Sequence, residues 1–304
     1  MPYDPSDVRS RLKSAEAQAP DEVAGAEYVK FYELSPALDS GGSATWFARG
    51  QNFVLGYVEY AGRYRFERTG QPDEYAVLLP DPESSATAMA NGESLAIGGQ
   101  ALLFVPPGDS SLEFSGGGRI IFLLSDQAKD LCALAANSSS YERRHPNVAP
   151  LEQWPAPPAG FRLRAYSLDV PGLSNPPYRI FRCTTFMINY TDVRPRRDTR
   201  KMSPHQHADF EQCSLVLHGE FVHHIRWPWG TDKAQWKADD HEYCAAPSVC
   251  VIPPPAVHTS QAMSLSGNHL IDIFAPPRRD FSSMPGWVLN AADYPAPSGL
   301  SADD

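Results

Sequence analysis

The chain has 304 residues, of which 42% are hydrophobic and 20% charged, so it is long enough for two folded domains and too apolar to be a disordered chain. With 26 Lys and Arg against 36 Asp and Glu, its net charge of -10 repels phosphate backbones and anionic membrane surfaces, which argues against a nucleic-acid or membrane partner. Its 5 cysteines are an odd number, scattered and without a CxxC pair, which excludes a disulfide framework; they read as core thiols.

No apolar run approaches the roughly 20 residues that cross a bilayer, and the opening MPYDPSDVRSRLKSAEAQ lacks the apolar core of a signal peptide, so a cytoplasmic location is expected. Ser6 can cap a short helix reaching to about Ala19, in an N-terminal arm of residues 1–25. From Tyr28 the grammar changes to short β-prone segments punctuated by Gly, Pro, Asp and Ser: NFVLGYVEY, RYRFER, EYAVLLP, SATAMA, ESLAI, ALLFVPP, SLEF and GRIIFLLS. They predict an all-β domain over residues 26–142, with one helix-like stretch at Ser125–Asn137. The Pro-rich passage at residues 143–165 reads as a linker.

The same grammar then restarts over residues 166–304 with YRIFRCTTFMINY, EFVHHIRW, SVCVIPPP, HTSQAM and HLIDIFAPP. Closely spaced short strands without crossover helices favour an antiparallel barrel or jelly roll in each half, and the 29 prolines fit strand ends and loops. The basic run RPRRDTRK, Arg194–Lys201, has no interleaved aromatics and reads as a solvated loop rather than a nucleic-acid site. The last segment, beyond Phe274, is expected to pack Phe281, Trp287 and Tyr294 onto a barrel.

Eight of the 9 histidines fall between His205 and His269. In an extended segment His205 and His207 project to the same side, where two imidazoles can share a metal ion, and His258, after the strand SVCVIPPP, is the natural third donor. Of His223 and His224 only one can face a cavity, by the same alternation, and the segment EFVHHIRWPWG is at least as well read as a hairpin whose tryptophans pack under a loop. The other single histidines, His218, His241 and His269 among them, read as ordinary core or surface groups.

The stretch SPHQHADFEQCSLVLHGE resembles the first motif of the cupin superfamily, and IPPPAVH resembles the second. Position by position, His205 and His207 match the two histidines, Gln212 stands where a Glu is usual, Gly219 matches the glycine and His258 the last histidine. Pro255 replaces the second motif's glycine. Glu211 competes with Gln212 as fourth ligand: the apolar face of this strand, Cys213, Leu215 and Leu217, is the face of Glu211. Gln212 is preferred because its spacing to Gly219 matches the commoner motif and because the outer face of this sheet in two-domain cupins is often buried against a partner.

The resemblance implies two tandem cupin barrels, with the metal motif kept in the second. Sliding Gln212 onto Glu74 puts Glu67, Thr69 and Ser111 at the three histidine positions of the first barrel, a set without imidazole and unsuited to a transition metal. The extra spacing between the motifs of the second barrel, near Trp227–Cys244, is expected to form a lid or subunit contact. The ligand set implies one divalent transition metal ion (Fe, Mn, Zn or Ni) acting on a small oxygenated metabolite such as a sugar acid, keto acid or hydroxy acid by isomerase or lyase chemistry. An Fe(II) dioxygenase of an aromatic or diketone, and a non-catalytic binding protein, use the same motif. A homodimer or higher homo-oligomer is expected, and no separate acid or base can be assigned.

Overall fold

The computed structural model describes residues 23–170, 178–230 and 232–300; the expected helix from Ser6 lies outside them. The strands in chain order are β1 (Glu27–Lys30), β2 (Leu38–Ser40), β3 (Ser43–Arg49), β4 (Phe53–Gln71), β5 (Tyr75–Leu79), β6 (Ser85–Ala90), β7 (Glu93–Gly98), β8 (Ala101–Val105) and β9 (Gly108–Ser125) in the first half. The second half contributes β10 (Arg164–Ser167), β11 (Arg179–Arg182), β12 (Met187–Tyr190), β13 (Glu211–His218), β14 (Glu220–Arg226), β15 (Asp240–Ala245), β16 (Ser248–Ile252), β17 (Val257–Ala262) and β18 (His269–Ala275). Two one-turn helices, α1 (Lys129–Ala133) and α2 (Arg279–Ser283), are the α-helices among the described residues. The strands form sheets of nine, six and three strands, the last being β15-β14-β17, and the strand pairings in all three are antiparallel, as the short-strand grammar predicts.

Two differences from the sequence reading have a physical cause. NFVLGYVEY and RYRFER form one 19-residue strand, β4, and SLEF and GRIIFLLS form one 18-residue strand, β9. The Gly-rich points Gly62 and Gly116 face each other across this ladder, so glycine bends the strands instead of ending them. The helix-like stretch Ser125–Asn137 shrinks to Lys129–Ala133 followed by turns.

Sheet membership does not follow sequence order. β1, from the start of the chain, pairs with β16 of the second barrel, whereas β10, just after the Pro-rich passage, pairs with β8 of the first. Each half thus lends an edge strand to the other. Between the two larger sheets runs one apolar seam: Leu55, Tyr57, Leu78, Phe104, Ile121 and Leu123 meet Leu215, Leu217, Val249, Val251, Ile271 and Ile273. The C-terminal aromatics Phe281, Trp287 and Tyr294 are all buried, as expected; Tyr294 joins this seam, whereas Phe281 and Trp287 pack in a separate cluster with Phe210 and Phe274.

At the edge of the seam two carboxylates act as reciprocal clasps. Glu211 accepts hydrogen bonds from the backbone N–H groups of Gln51 (2.9 Å) and Asn52 (3.2 Å) in the β3–β4 turn. Glu74 accepts from the backbone N–H and hydroxyl of Thr184 (both 3.0 Å) in the β11–β12 turn, and from the Tyr294 hydroxyl. The turn at Gly50 comes so close that a Cβ there would lie 2.4 Å from a Glu211 carboxylate oxygen.

Burial pushes the Glu211 carboxyl up to about 7 from 4.5, against the two N–H bonds that pull it down. An acid raised in the folded state contributes its full stability below pH 4.5 and loses it as pH rises through 7. The wild-type protein should therefore lose on the order of 3 kcal/mol between pH 5 and 8 that Glu211→Gln does not lose. Urea unfolding of both proteins at the two pH values checks this, and parallel losses would contradict it.

Candidate metal centre

The second barrel is hollow where the first is filled. Within the first, Tyr64, Phe66, Phe114 and Phe122 interlock, Phe66 stacking on Phe122 with centroids 4.0 Å apart. The second encloses a cavity of about 410 Å3 reached by His205, Gln212 and His258.

β13 positions the site through its two faces. Cys213, Leu215 and Leu217 enter the seam with Glu211, so Gln212 and Ser214 turn inward. The Gln212 amide N–H donates to Ser214 Oγ (3.0 Å) and Asp272 Oδ1 (3.1 Å), and Ser214 donates to the same Asp272 oxygen (2.8 Å). These bonds orient the amide so that its oxygen points at His258 Nε2, 3.3 Å away. The β13–β14 turn needs Gly219: its φ is +81°, and a Cβ would lie 2.4 Å from the Gly267 carbonyl oxygen.

His205 does not lie in an extended strand, as the spacing predicts; Pro204 beside it has no N–H to donate to a ladder. It makes a single two-way bridge to His258, with backbone N to O distances of 3.0 and 2.8 Å. The effect is the expected one: the His205 and His258 rings lie 4.5 Å apart by centroid, and those of His207 and His258 5.0 Å.

Each of the three rings directs Nδ1 at a backbone carbonyl: His205 at Ser203 (3.0 Å), His207 at Phe210 (3.0 Å) and His258 at Ala256 (2.9 Å). A carbonyl can only accept, so Nδ1 carries the proton and Nε2 presents a lone pair, the arrangement that orients metal-ligating histidines. His207 Nε2 is buried with no hydrogen-bond partner. Burial, then the neighbouring His258, Arg278 and His205, holds the His207 imidazole well below its usual range, and burial takes His258 down to about 4. His207 and His258 are therefore neutral near pH 7.

Two ligands about 2.1 Å from one cation at tetrahedral or octahedral angles stand roughly 3.0–3.4 Å apart. The contact between Gln212 Oε1 and His258 Nε2 has that length, which is long for a hydrogen bond. Among the described residues no group of three or more His, Cys, Asp or Glu side chains is placed to hold a metal ion by itself. His258 stands next to both other rings and to the Gln212 amide oxygen, and three imidazoles with an amide oxygen are donor types that suit a divalent transition metal.

His223 is the member of its pair that faces inward. It is buried, its Nδ1 lies 2.9 Å from Ser260 Oγ, and burial lowers it to about 3. His224 faces the other way, with Nδ1 2.8 Å from His241 Nδ1 and Nε2 3.1 Å from Gln261 Oε1. Trp227 is buried, while Trp229 and Trp236 stack on each other at 4.3 Å on the surface.

Sequence reasoning missed three parts of the site. Asp272 on β18 holds the Gln212 amide, but a lone Asp in HLIDIFAPP carries no motif. Arg278 is 6% exposed, bonded to Asp280 (3.0 and 2.6 Å) and set 3.6 Å over the Phe281 ring. The run Arg194–Lys201, expected to be a solvated loop, lines the mouth of the cavity with Arg194, Arg196, Arg197 and Lys201.

The first-barrel frame also needs correcting by one residue. Glu74 corresponds to Glu211, since both clasp the opposite barrel, so Tyr75 stands at the Gln212 position. The registers agree: Tyr75 pairs with Val105 and Gln212 with Ile252, each just before a Pro-Pro run. The Tyr75 hydroxyl meets Ser110 Oγ at 2.8 Å. Glu67 and Thr69 lie exposed, and Ser111 keeps the His258 position, six residues beyond Val105 as His258 is six beyond Ile252.

The sequence matches no protein-family model and no curated protein sequence. The three-dimensional structure does have relatives. An oxalate decarboxylase from Lactobacillus farciminis superposes with a TM-score of 0.56 at 13% identity, covering 88% of this chain and 89% of that one. The Bacillus subtilis oxalate decarboxylase gives 0.54 at 11%, covering 94% and 89%. AerE from Microcystis aeruginosa gives 0.50 at 11%, covering 78% and 93%. Tandem antiparallel barrels and the seam between them are the fold this chain shares with the two oxalate decarboxylases.

Proposed function

We propose that the chain is a metal-dependent enzyme whose second barrel holds one divalent transition metal ion, Fe, Mn, Zn or Ni, on His205, His207, Gln212 and His258. The observation that carries this reading is the common orientation of the three rings, every Nδ1 on a backbone carbonyl, together with the partnerless buried Nε2 of His207. The Bacillus subtilis oxalate decarboxylase has Mn(II) centres, which puts manganese among the first ions to test.

With an all-neutral ligand set the ion keeps its full positive charge and supplies Lewis-acid activation of a substrate carboxylate, keto or hydroxyl oxygen. The protein supplies the rest. Phe210, stacked on His207 at 3.9 Å, covers one side of the site. Ser214 and Asp272 lock the Gln212 amide so that its oxygen faces the centre. Isomerase or lyase chemistry on a small oxygenated acid suits this environment, because it needs only substrate orientation and proton movement. Asp272 and Thr259 line the cavity and are the groups placed to hold a proton there.

Protein purified without added metal should contain about one divalent transition ion per chain by elemental analysis. His207→Ala and His258→Ala should each lose at least 90% of it, whereas His224→Ala should retain it, roughly as expected when a true ligand and a remote imidazole are compared. Full metal content in both ligand variants would end the reading.

Turnover under nitrogen separates the chemistries sharing this motif. Isomerase or lyase activity persists without oxygen, while an Fe(II) dioxygenase stops and consumes oxygen when air returns. Tight binding of acids with no product under either condition is the signature of a binding protein.

A further inference from the structure

The cavity of the second barrel gathers positive charge at two depths in a chain whose net charge is -10. Deep inside, Arg278 is 6% exposed and fixed by Asp280, which takes its Nε and Nη2. Three aromatic rings surround its guanidinium carbon, Phe281 at 3.6 Å, Phe274 at 4.9 Å and Phe210 at 5.0 Å. Among the described residues the hydrogen bonds of the guanidinium use Nε and Nη2 and none uses Nη1, and Arg278 lines the cavity. A guanidinium buried with one edge neutralised and the other turned to a cavity is built to take an oxyanion.

At the mouth stand Arg194, Arg196, Arg197 and Lys201. Arg194 lies over the Tyr178 ring (5.3 Å), and Arg197 donates to the Lys201 carbonyl and Ser203 Oγ (both 2.9 Å), so part of the rim is held in place. Two carboxylates line the same cavity. Asp198 is paired with Arg200, and Asp272 is bonded to Gln212 and Ser214. Counting the proposed divalent ion, the interior with Asp272 and the Arg278–Asp280 pair carries a formal charge of about +1, and the rim about +4. A volume of 410 Å3 holds roughly a dozen non-hydrogen atoms at liquid-water density, enough for one molecule to reach from one zone to the other.

We infer that the substrate is an organic dianion: a carboxylate taken by Arg278 beside the metal centre, and a second anionic group, carboxylate or phosphate, taken by Arg194, Arg197 and Lys201 at the mouth. The metal-centre reading underlies the placement of the first group; the second depends on the rim alone. Arg278 and the rim cations are the specificity determinants, and a monoanion of equal size leaves the rim unused.

Calorimetric titration of the full chain, metal-loaded and chelator-treated, with butyrate, succinate, glutarate, adipate and 3-phosphoglycerate tests this. At least one dianion should bind about 10-fold or more tighter than butyrate. The triple variant Arg194→Gln, Arg197→Gln, Lys201→Gln should erase that preference, weakening the dianion at least about 10-fold more than it weakens butyrate. Arg278→Gln should weaken both, and Arg278→Lys should restore part of the loss. Phosphoglycerate ahead of the dicarboxylates identifies a phosphate at the rim, and the reverse a carboxylate; either outcome supports the dianion. Equal affinity for dianions and butyrate, binding of none of the probes, or a preference that survives the triple variant overturns it. A preference in protein that binds no metal removes the metal centre and keeps the dianion, whereas metal-loaded protein without preference does the opposite.

Discussion

The alternation of a single strand, β13, decides what both barrels can be. A strand shows successive side chains to opposite faces, so once Cys213, Leu215 and Leu217 are committed to the seam, Gln212 and Ser214 have no choice but the cavity. A slip of one residue would send a carboxylate into the cavity and strip the seam of its leucines, at about 1.5–3 kcal/mol for each apolar side chain left exposed. Glu211 is kept out of the cavity by the same parity and finds its hydrogen bonds on the other barrel. The candidate metal centre is thus a consequence of how the barrels join.

Much of this was legible in the sequence because it depends on local periodicity. The punctuated β segments, the two-residue spacing of His205 and His207, and the competition between Glu211 and Gln212 follow from strand geometry alone. What escaped depends on contacts between residues distant in the chain. The exchange of β1 and β10 cannot be read from segments whose pairing partners lie in the other half. The first-barrel frame slipped by one because a carboxylate, Glu74, was matched to the ligand position instead of to the clasp it forms. Arg278 left no signal, since its role comes from Asp280 and three phenylalanines closing around it. The basic run is largely exposed, as charge runs usually are, but only the folded barrel brings four of its side chains to line one opening.

Electrostatics at the site follow from these placements. Neutral imidazoles and an amide leave a bound cation undiminished, and they tolerate a nearby guanidinium because none of them must become charged. Burial and Arg278 both favour the neutral form of His207 and His258. Burial is the main cause of their neutrality, and the Arg278 charge that adds to it also favours an anion in the cavity. The net charge of -10 on the whole chain sharpens the contrast with the cationic lining of this opening.

The filled first barrel is the counterpart of the hollow second. Aromatic packing around Phe66, Phe114 and Phe122 gives its β5 a rigid inner face, and the outer face of the same strand, Ala76 and Leu78, forms half of the seam. An open cavity weakens the packing of its own barrel, since side chains around it lack partners on one side. The second barrel compensates by borrowing: its strand β1 comes from the first half, its seam face is covered, and its β3–β4 clasp is supplied by the opposite turn. A lone second barrel would expose the leucines of β13 and leave Glu211 without its donors. The packed barrel thus gives the hollow one an edge strand, a seam face and the donors for Glu211.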